Sequence, residues 1–213
     1  MKEQHYQDKS INYGIAHTRL NRILDLANDD KYQKILDVGC ARGYIGRRLK
    51  KGGRLVFGVE MSSPAAAEAQ KVLDKVYIFD IEKPWPPEVA SLKFDLAIVA
   101  ELLEHVFDPV EVLGFISQTL QEKGEIIITT PNFLTWVNRI KMLFGFFRYT
   151  EQGLLDFGHI RFFTYRYLKQ VLTEASFNVI KESHIIFPGK ITRILKYWPS
   201  LFATQFIVKA KKL

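Results

Sequence analysis

Residues 34–46, Lys-Ile-Leu-Asp-Val-Gly-Cys-Ala-Arg-Gly-Tyr-Ile-Gly, contain the pattern that decides the fold. The apolar run over residues 34–38 predicts a short buried strand, and a helix is expected from about Tyr44 to Lys51. Between them, Gly39 and Gly43 let the backbone turn sharply and approach a ligand without a Cβ in the way. A strand that feeds a helix through such a turn is typical of open parallel α/β sheets, which bind ligands beyond the carboxyl ends of their strands.

Strand-like and helix-like stretches alternate along the rest of the chain, which predicts successive βαβ units. Strands are expected at 54–59, 76–79, 94–100 and 125–130, and helices at 15–26, 64–73, 110–120 and 165–176. Residues 177–187 and 202–210 predict two final strands that form an antiparallel hairpin at the sheet edge. An extra segment, residues 133–160, precedes the last helix. We therefore expect one doubly wound α/β domain over residues 1–213.

Composition excludes several classes of protein, among them disordered and disulfide-rich chains. A chain of 213 residues with 47% hydrophobic residues fits one packed domain and is too apolar for a disordered chain. The single cysteine, Cys40, excludes an intramolecular disulfide framework and a cluster of thiolate metal ligands. No apolar stretch reaches the roughly 18 residues of a membrane span, and the N-terminus lacks a signal-peptide pattern. These features predict a cytoplasmic protein.

The net charge of +7 is distributed unevenly. Residues 1–132 contain 17 basic and 19 acidic residues, whereas residues 133–213 contain 13 basic and 4 acidic residues. A basic second half is suited to an anionic partner, and lipid headgroups, phosphorylated substrates and nucleic acid all qualify. The simpler interpretation is a solvated basic surface that aids solubility.

Acidic residues end two successive predicted strands. Glu60 ends the second strand, where a carboxylate can accept hydrogen bonds from a ribose diol. Asp80 ends the third strand, where a carboxylate can accept from an adenine amine. A dinucleotide fingerprint would need glycine at positions 39, 41 and 44, but the sequence has Gly39, Ala41 and Tyr44. An adenosine cofactor other than a nicotinamide dinucleotide is therefore expected. Its expected contacts are Asp37, Gly39, Cys40, Ala41, Gly43, Glu60, Met61, Asp80, Ile81, Ala100 and Glu101.

Residues 36–43, 58–60, Asp80 and 94–96 resemble the successive motifs of class I S-adenosylmethionine-dependent methyltransferases. The resemblance runs from about residue 33 to the end of the chain. It implies a Rossmann-like seven-stranded sheet, mostly parallel with an antiparallel last strand and helices on both faces. It also implies transfer of the methyl group of S-adenosylmethionine to an acceptor. Ala41 departs from the usual glycine of this family and should be tolerated if its φ is negative.

Within that superfamily, three stretches resemble narrower groups. Residues 101–109, Glu-Leu-Leu-Glu-His-Val-Phe-Asp-Pro, and residues 130–132 are similar to the ubiquinone-biosynthesis O-methyltransferases, in the methyltransferase type 11 and 23 group. Residues 156–164 resemble bacterial relatives that are encoded beside glycan-assembly enzymes. The resemblance favours a hydroxyl acceptor on a small molecule, a glycan or a polyprenyl-linked, quinone-like compound.

Glu101, Glu104 and His105 are spaced so that one helical turn would place all three on one face, just after the fourth strand. In one interpretation His105, with Glu104 beside it, accepts the proton of an attacking hydroxyl. In another, the three residues and His159 hold a divalent metal that acidifies the hydroxyl. The small-RNA 2′-O-methyltransferases have a similar pair of glutamates and pair of histidines. A third interpretation is that Glu104 and His105 only brace the helix.

The segment 133–148 is apolar, with Arg139, Lys141 and Arg148 interleaved. This pattern predicts an amphipathic helix that covers the acceptor pocket as a lid or makes a peripheral membrane contact.

The leading functional hypothesis is an O-methyltransferase with a small-molecule, lipid-linked or glycan-linked acceptor. An RNA 2′-O-methyltransferase is an alternative, but no nucleic-acid-binding module is recognisable in the sequence. A non-catalytic S-adenosylmethionine-binding protein is the other alternative.

Overall fold

The computed structural model describes residues 13–151, 153–186, 195 and 197–213. In these residues the strands are β1 (Lys34–Val38), β2 (Leu55–Glu60), β3 (Lys75–Ile78), β4 (Phe94–Ala100), β5 (Leu120–Pro131), β6 (Phe177–Glu182), β7 (Ile185–Ile186) and β8 (Ala203–Lys212). The α-helices are α1 (Tyr13–Leu26), α2 (Tyr44–Leu49), α3 (Ser63–Gln70), α4 (Pro87–Ala90), α5 (Pro109–Thr119), α6 (Trp136–Leu143), α7 (Tyr165–Glu174) and α8 (Pro199–Phe202).

The strands form one twisted sheet in the order β3-β2-β1-β4-β5-β8-β6, and the short β7 also pairs with β8. Strands β1 to β5 are parallel, whereas β8 is antiparallel to β5 and to β6. The Rossmann-like α/β sheet with an antiparallel last strand is thus confirmed. The expected antiparallel pairing of the last two strands at the sheet edge is also found, with β8 between β5 and the edge strand β6. Residues Ala203 and Gln205–Ala210 of β8 are all buried, as is usual for an interior strand, while β6 is mostly exposed.

Helices cover both faces of the sheet, and β4 shows how its residues divide between them. Leu96 and Ile98 pack with buried residues of α1, α2 and α3, whereas Ala97 and Val99 pack with those of α4, α5 and α7. Successive side chains of a strand point to opposite faces, so this alternation produces two apolar layers. Among the described residues, no helix is long and apolar enough to cross a membrane.

The strand order reverses between β1 and β4, which pair directly in the middle of the sheet. From β1 the chain continues outward through β2 and β3, and it then returns to β4 on the opposite side. Such a reversal opens a crevice beyond the carboxyl ends of the two central strands, where ligands bind in open α/β folds. The glycine turn after β1 and the acidic stretch after β4 both lead into this crevice.

The predicted helix in the extra segment is present as α6, which begins after the N-cap Thr135. The hydroxyl of Thr135 accepts a hydrogen bond from the backbone of Asn138, as expected of a helix N-cap. None of the eight residues of α6 is buried. Of its apolar side chains, Trp136, Val137, Ile140 and Leu143 are exposed and Met142 is half-buried.

Candidate active site

The turn after β1 has three residues in left-handed backbone conformation. Gly39 has a φ of 70° and Gly43 a φ of 76°, and both angles suit residues without a Cβ. Ala41 has a φ of 46°, so the negative φ that would make alanine easy to accommodate is not found. A hydrogen bond from the Ala41 backbone to Oε2 of Glu60, 3.0 Å long, helps to hold this strained residue.

Side chains pack closely against the back of this turn. A Cβ on Gly58 of β2 would lie 2.6 Å from Sγ of Cys40, and a Cβ on Gly39 would lie 2.9 Å from Cδ1 of Leu102. Cys40 is buried, and this burial raises the pKa of its thiol. Its side chain therefore acts as a small core group, and any contact with a ligand has to come from its backbone.

Two buried carboxylates organise the loops at this edge. Glu60 is 3% exposed, and its Oε1 and Oε2 accept hydrogen bonds from the backbones of Ser62 (2.8 Å) and Ala41 (3.0 Å). Oδ2 of Asp37 accepts from the backbone of Gly46 at 3.0 Å. Burial raises the pKa of Asp37 to about 7; the Gly46 hydrogen bond opposes this rise, and the charge of Glu60 adds to it. Asp37 thus connects β1 with the start of α2, and Glu60 connects the loop after β1 with the loop after β2.

The remaining predicted cofactor residues lie around the same crevice. Asp80 is half-buried after β3, and its Oδ1 accepts from the backbone of Glu82 at 3.0 Å. Ile81 is also half-buried, whereas Met61 is exposed. A carboxylate after each of β2 and β3, beside a turn that a Cβ would obstruct, fits the ribose, the adenine and the backbone-facing parts of S-adenosylmethionine. The individual contacts of these residues remain predictions.

Glu101 does not share a helical face with Glu104 and His105, so that prediction is wrong. Its φ is 52°, and its backbone donates to the carbonyl of Thr129, which prolongs the β4–β5 ladder by one residue. The chain then forms only a short 3₁₀ turn at Leu103–His105, and α5 begins at Pro109.

The carboxylate of Glu101 is held from three sides. Oε1 accepts from the hydroxyl of Thr129 at 2.9 Å, and Oε2 accepts from Nε2 of Gln205 at 2.8 Å. Oε2 also forms an ion pair with Nη1 of Arg19 at 2.9 Å. The three partners come from β5, β8 and α1, far apart in the chain, so sequence reasoning missed them all. No pattern in the sequence links these residues to Glu101.

Glu104, His105 and His159 come together although 55 positions separate the most distant pair. One potential ligand atom from each residue lies within 4.8 Å of the other two, and the imidazole rings are 4.8 Å apart between centroids. The Nδ1 atoms of His105 and His159 lie 2.8 and 2.9 Å from the carbonyl oxygens of Gly158 and Leu154. Because a carbonyl only accepts, each neutral ring carries its hydrogen on Nδ1 and presents Nε2 as a basic nitrogen.

The environment of Glu104 is unfavourable for a negative charge. The residue is 1% exposed, and among the described residues neither carboxylate oxygen has a hydrogen-bond partner. Burial, and then the charge of Glu101, raise the pKa of Glu104 well above its usual value. The neighbouring hydroxyl of Thr130 acts in the opposite direction but does not reach hydrogen-bonding geometry. A positive ligand or a proton would satisfy this carboxylate.

The loop that carries His159 is fastened to the 3₁₀ turn by backbone hydrogen bonds. The backbones of Ile160 and Arg161 both donate to the carbonyl of Glu104, at 2.9 and 3.1 Å. The buried side chain of Asp156 accepts from the backbone of Gly158 at 2.8 Å. The two histidines therefore belong to one connected structure, and their proximity does not depend on a single contact.

Comparison with known proteins identifies the family. The family described as "Methyltransferase domain" matches residues 8–182. The ubiquinone biosynthesis O-methyltransferase of Pasteurella multocida (strain Pm70) is 33% identical over 127 residues, which cover 54% of this chain and 52% of that protein. The chain thus spans about half the length of this curated relative.

Solved structures share the fold. A SAM-dependent methyltransferase from Archaeoglobus fulgidus has a TM-score of 0.68 at 18% identity, covering 94% of this chain and 95% of the other. Magnesium protoporphyrin IX methyltransferase from Synechocystis PCC 6803, with bound SAH, has a TM-score of 0.65 at 16% identity. The match covers 99% of this chain and 92% of that protein. With the family matched over most of its length, this chain belongs to the methyltransferase domain family, in the class I S-adenosylmethionine-dependent group.

Proposed function

We propose that this chain transfers the methyl group of S-adenosylmethionine to a hydroxyl oxygen of a small-molecule, glycan-linked or polyprenyl-linked acceptor. The observation that carries the proposal is the cluster of Glu104, His105 and His159 beyond the carboxyl end of β4. This position adjoins the crevice in which class I methyltransferases hold their cofactor. The similarity to a ubiquinone biosynthesis O-methyltransferase supports oxygen as the attacked atom.

The chain's own residues prepare the acceptor for attack. S-adenosylmethionine, when bound, supplies an electrophilic methyl group on a positively charged sulfur. His105 accepts the hydroxyl proton on Nε2, because its Nδ1 hydrogen is directed to the carbonyl of Gly158. Because burial opposes a charge on Glu104, the imidazolium that forms beside it would in turn favour ionisation of this carboxylate. As the oxygen–carbon bond forms, the sulfur–carbon bond breaks and its electron pair stays on sulfur, so that charge and atoms balance.

As the alternative to this general-base role, we propose that the same three residues hold a divalent cation, with Nε2 of His105 as a ligand in place of a proton acceptor. The buried, unpartnered oxygens of Glu104 and two imidazoles anchored through Nδ1 match the donor set of such a site. A carboxylate with two imidazoles suits manganese, iron, cobalt or zinc better than magnesium. Glu101 leaves the ligand set that the sequence predicted, because Arg19, Thr129 and Gln205 already engage its carboxylate. The cation would polarise the acceptor hydroxyl and lower its pKa.

One experiment tests both roles. The protein is treated with a chelator, and its affinity for S-adenosylmethionine and its methylation of catechol, used as a probe acceptor, are measured with and without added Mn²⁺ or Zn²⁺. If the reaction depends on a metal, methylation is lost after chelation and is restored by added Mn²⁺ or Zn²⁺. The affinity for S-adenosylmethionine stays constant throughout. In a Glu104→Gln variant, the cations should no longer raise the melting temperature, whereas they raise it in the unmodified chain.

If His105 acts as a general base alone, turnover resists the chelator and is lost in a His105→Ala variant. Methylation that withstands both chelation and a His105→Ala substitution would contradict the proposed role of the cluster.

The exposed residues of the extra segment support a mobile cover or a peripheral membrane contact near this site. Leu143 and Phe144 of this segment are 80% and 70% exposed, and Arg139 and Lys141 are interleaved with them. Interfacial helices combine apolar and basic faces in this way. A lipid-linked acceptor would be reached most easily from such an interface.

A further inference from the structure

A groove of about 760 Å³ lies between α6 and the loop that follows it. Its size falls within the range of roughly 300–1,000 Å³ that is usual for small-molecule sites. The groove is separate from the glycine turn and from the carboxylates after β2 and β3. The side chains that define its chemistry are Lys141, Phe146, Phe147, Arg148, Leu154 and Leu155.

The groove combines two positive charges with an apolar wall. Lys141 and Arg148 are both exposed, and among the described residues neither forms an ion pair. The described residues that line the groove include no acidic residue, and the sequence has none over residues 131–150. A ligand that complements these walls has an anionic group at one end and an apolar body.

The groove is connected directly to the proposed reacting centre. The carbonyl of Leu154, a lining residue, accepts the Nδ1 hydrogen of His159 at 2.9 Å. Phe147, another lining residue, packs edge-on against Tyr149, which stacks on Phe157, two residues before His159. A ligand in the groove therefore contacts the segment that positions this histidine.

We propose that this groove is the anchoring subsite for the acceptor and that the acceptor is an anionic amphiphile. The anionic group, a phosphate or carboxylate, binds between Lys141 and Arg148, and the apolar part packs against Phe146, Phe147 and Leu155. The hydroxyl to be methylated then extends past Leu154 toward His159. The assignment of the acceptor rests on the proposed methyl transfer, whereas binding in the groove does not.

The test uses the whole chain and dodecyl phosphate as the probe, kept below its micellar concentration, with binding measured by calorimetry. We expect saturable binding of one molecule per chain, and at least tenfold weaker binding of dodecyl maltoside, which has the same tail without the charge. A Lys141→Ala, Arg148→Ala double variant should bind dodecyl phosphate at least tenfold more weakly. The control is a Lys51→Ala, Arg166→Ala variant, which removes two exposed cations elsewhere and should bind as the unmodified chain does.

A second readout links the groove to the reacting centre. The NMR signal of the His159 ring is assigned by its loss in a His159→Gln variant. This signal should shift when the unmodified chain is saturated with dodecyl phosphate. It should not shift when the same concentration is added to the Lys141→Ala, Arg148→Ala double variant, called the groove variant. Binding without this shift would overturn the proposal, as would equal binding by groove and control variants. Binding only to phosphatidylglycerol vesicles, with none to monomeric probe, would likewise overturn it in favour of a membrane contact. Each variant should retain its affinity for S-adenosylhomocysteine, which shows that it is folded. Loss of dodecyl phosphate binding then reports on the groove, and neither on misfolding nor on the proposed methyl transfer.

Discussion

Replacing Gly58 by alanine tests whether the cofactor turn depends on close packing behind it. The added Cβ would lie 2.6 Å from Sγ of Cys40 and 2.9 Å from Cδ1 of Leu73. Both distances are shorter than van der Waals contact, so at least one of these side chains would have to move. Overpacking of this kind costs about 1–3 kcal/mol, and the loss of a flexible glycine returns about 0.5–1 kcal/mol. We expect the free energy of unfolding to fall by about 1–2 kcal/mol, measured by urea denaturation. This corresponds to a melting temperature lower by about 2–8 °C.

The matched control is Gly114→Ala in α5, where an added Cβ meets no atom within 4 Å. Alanine is favoured over glycine in a helix by about 0.8–1 kcal/mol, so this variant should be stabilised. The Gly58 variant should also bind S-adenosylhomocysteine more weakly, because displacement of Cys40 moves the turn. Equal stability of the two variants, or an unchanged affinity in the Gly58 variant, would refute the packing argument.

Three further predictions concern strain, titration and motion. Ala41→Gly should raise the free energy of unfolding by about 0.5–1 kcal/mol in urea denaturation, because glycine relieves a φ of 46°; a destabilised variant would contradict this. Since burial raises the pKa of Asp37 to about 7, its protonated form stabilises the fold below a pH of about 3.9, and this contribution is lost as the pH rises through 7. Asp37→Asn should therefore flatten the fall in stability between those pH values, and parallel pH profiles would disprove the assignment. Amide hydrogens of α6, which has no buried residue, should exchange faster than those of β4, and equal protection would exclude a mobile helix.

Local patterns predicted the parts of the fold that depend on neighbouring residues. The strand at 34–38 and the strand at 94–100 are found with the expected bounds, because each is a short apolar run flanked by turn-forming residues. The glycine turn was predictable since Gly39 and Gly43 follow directly after a strand. The proximity of His105 and His159 was predicted as one of several interpretations, because parallel neighbouring strands bring their following loops to one edge.

The features that sequence reasoning missed depend on distant contacts. Glu101 was placed on a helix by its spacing, but a hydrogen bond to Thr129 keeps it in the β4–β5 ladder. Its charge partner, Arg19, belongs to α1, which sequence patterns predict as a helix without indicating what it contacts. The antiparallel pairing of the last two strands was predicted, but not which of them is interior; the burial of β8 fits its place between β5 and the exposed strand β6.

Calorimetric titration of S-adenosylhomocysteine into the purified chain tests the central claim, that the crevice beyond β1 and β2 holds the methyl donor. We expect binding of one molecule per chain, weakened about 10- to 150-fold by Glu60→Ala, since hydrogen bonds to a charged group contribute about 1.5–3 kcal/mol. Glu68→Ala, which removes an exposed carboxylate from α3, should leave the affinity unchanged. Clear binding of NADH together with no binding of S-adenosylhomocysteine would contradict the account.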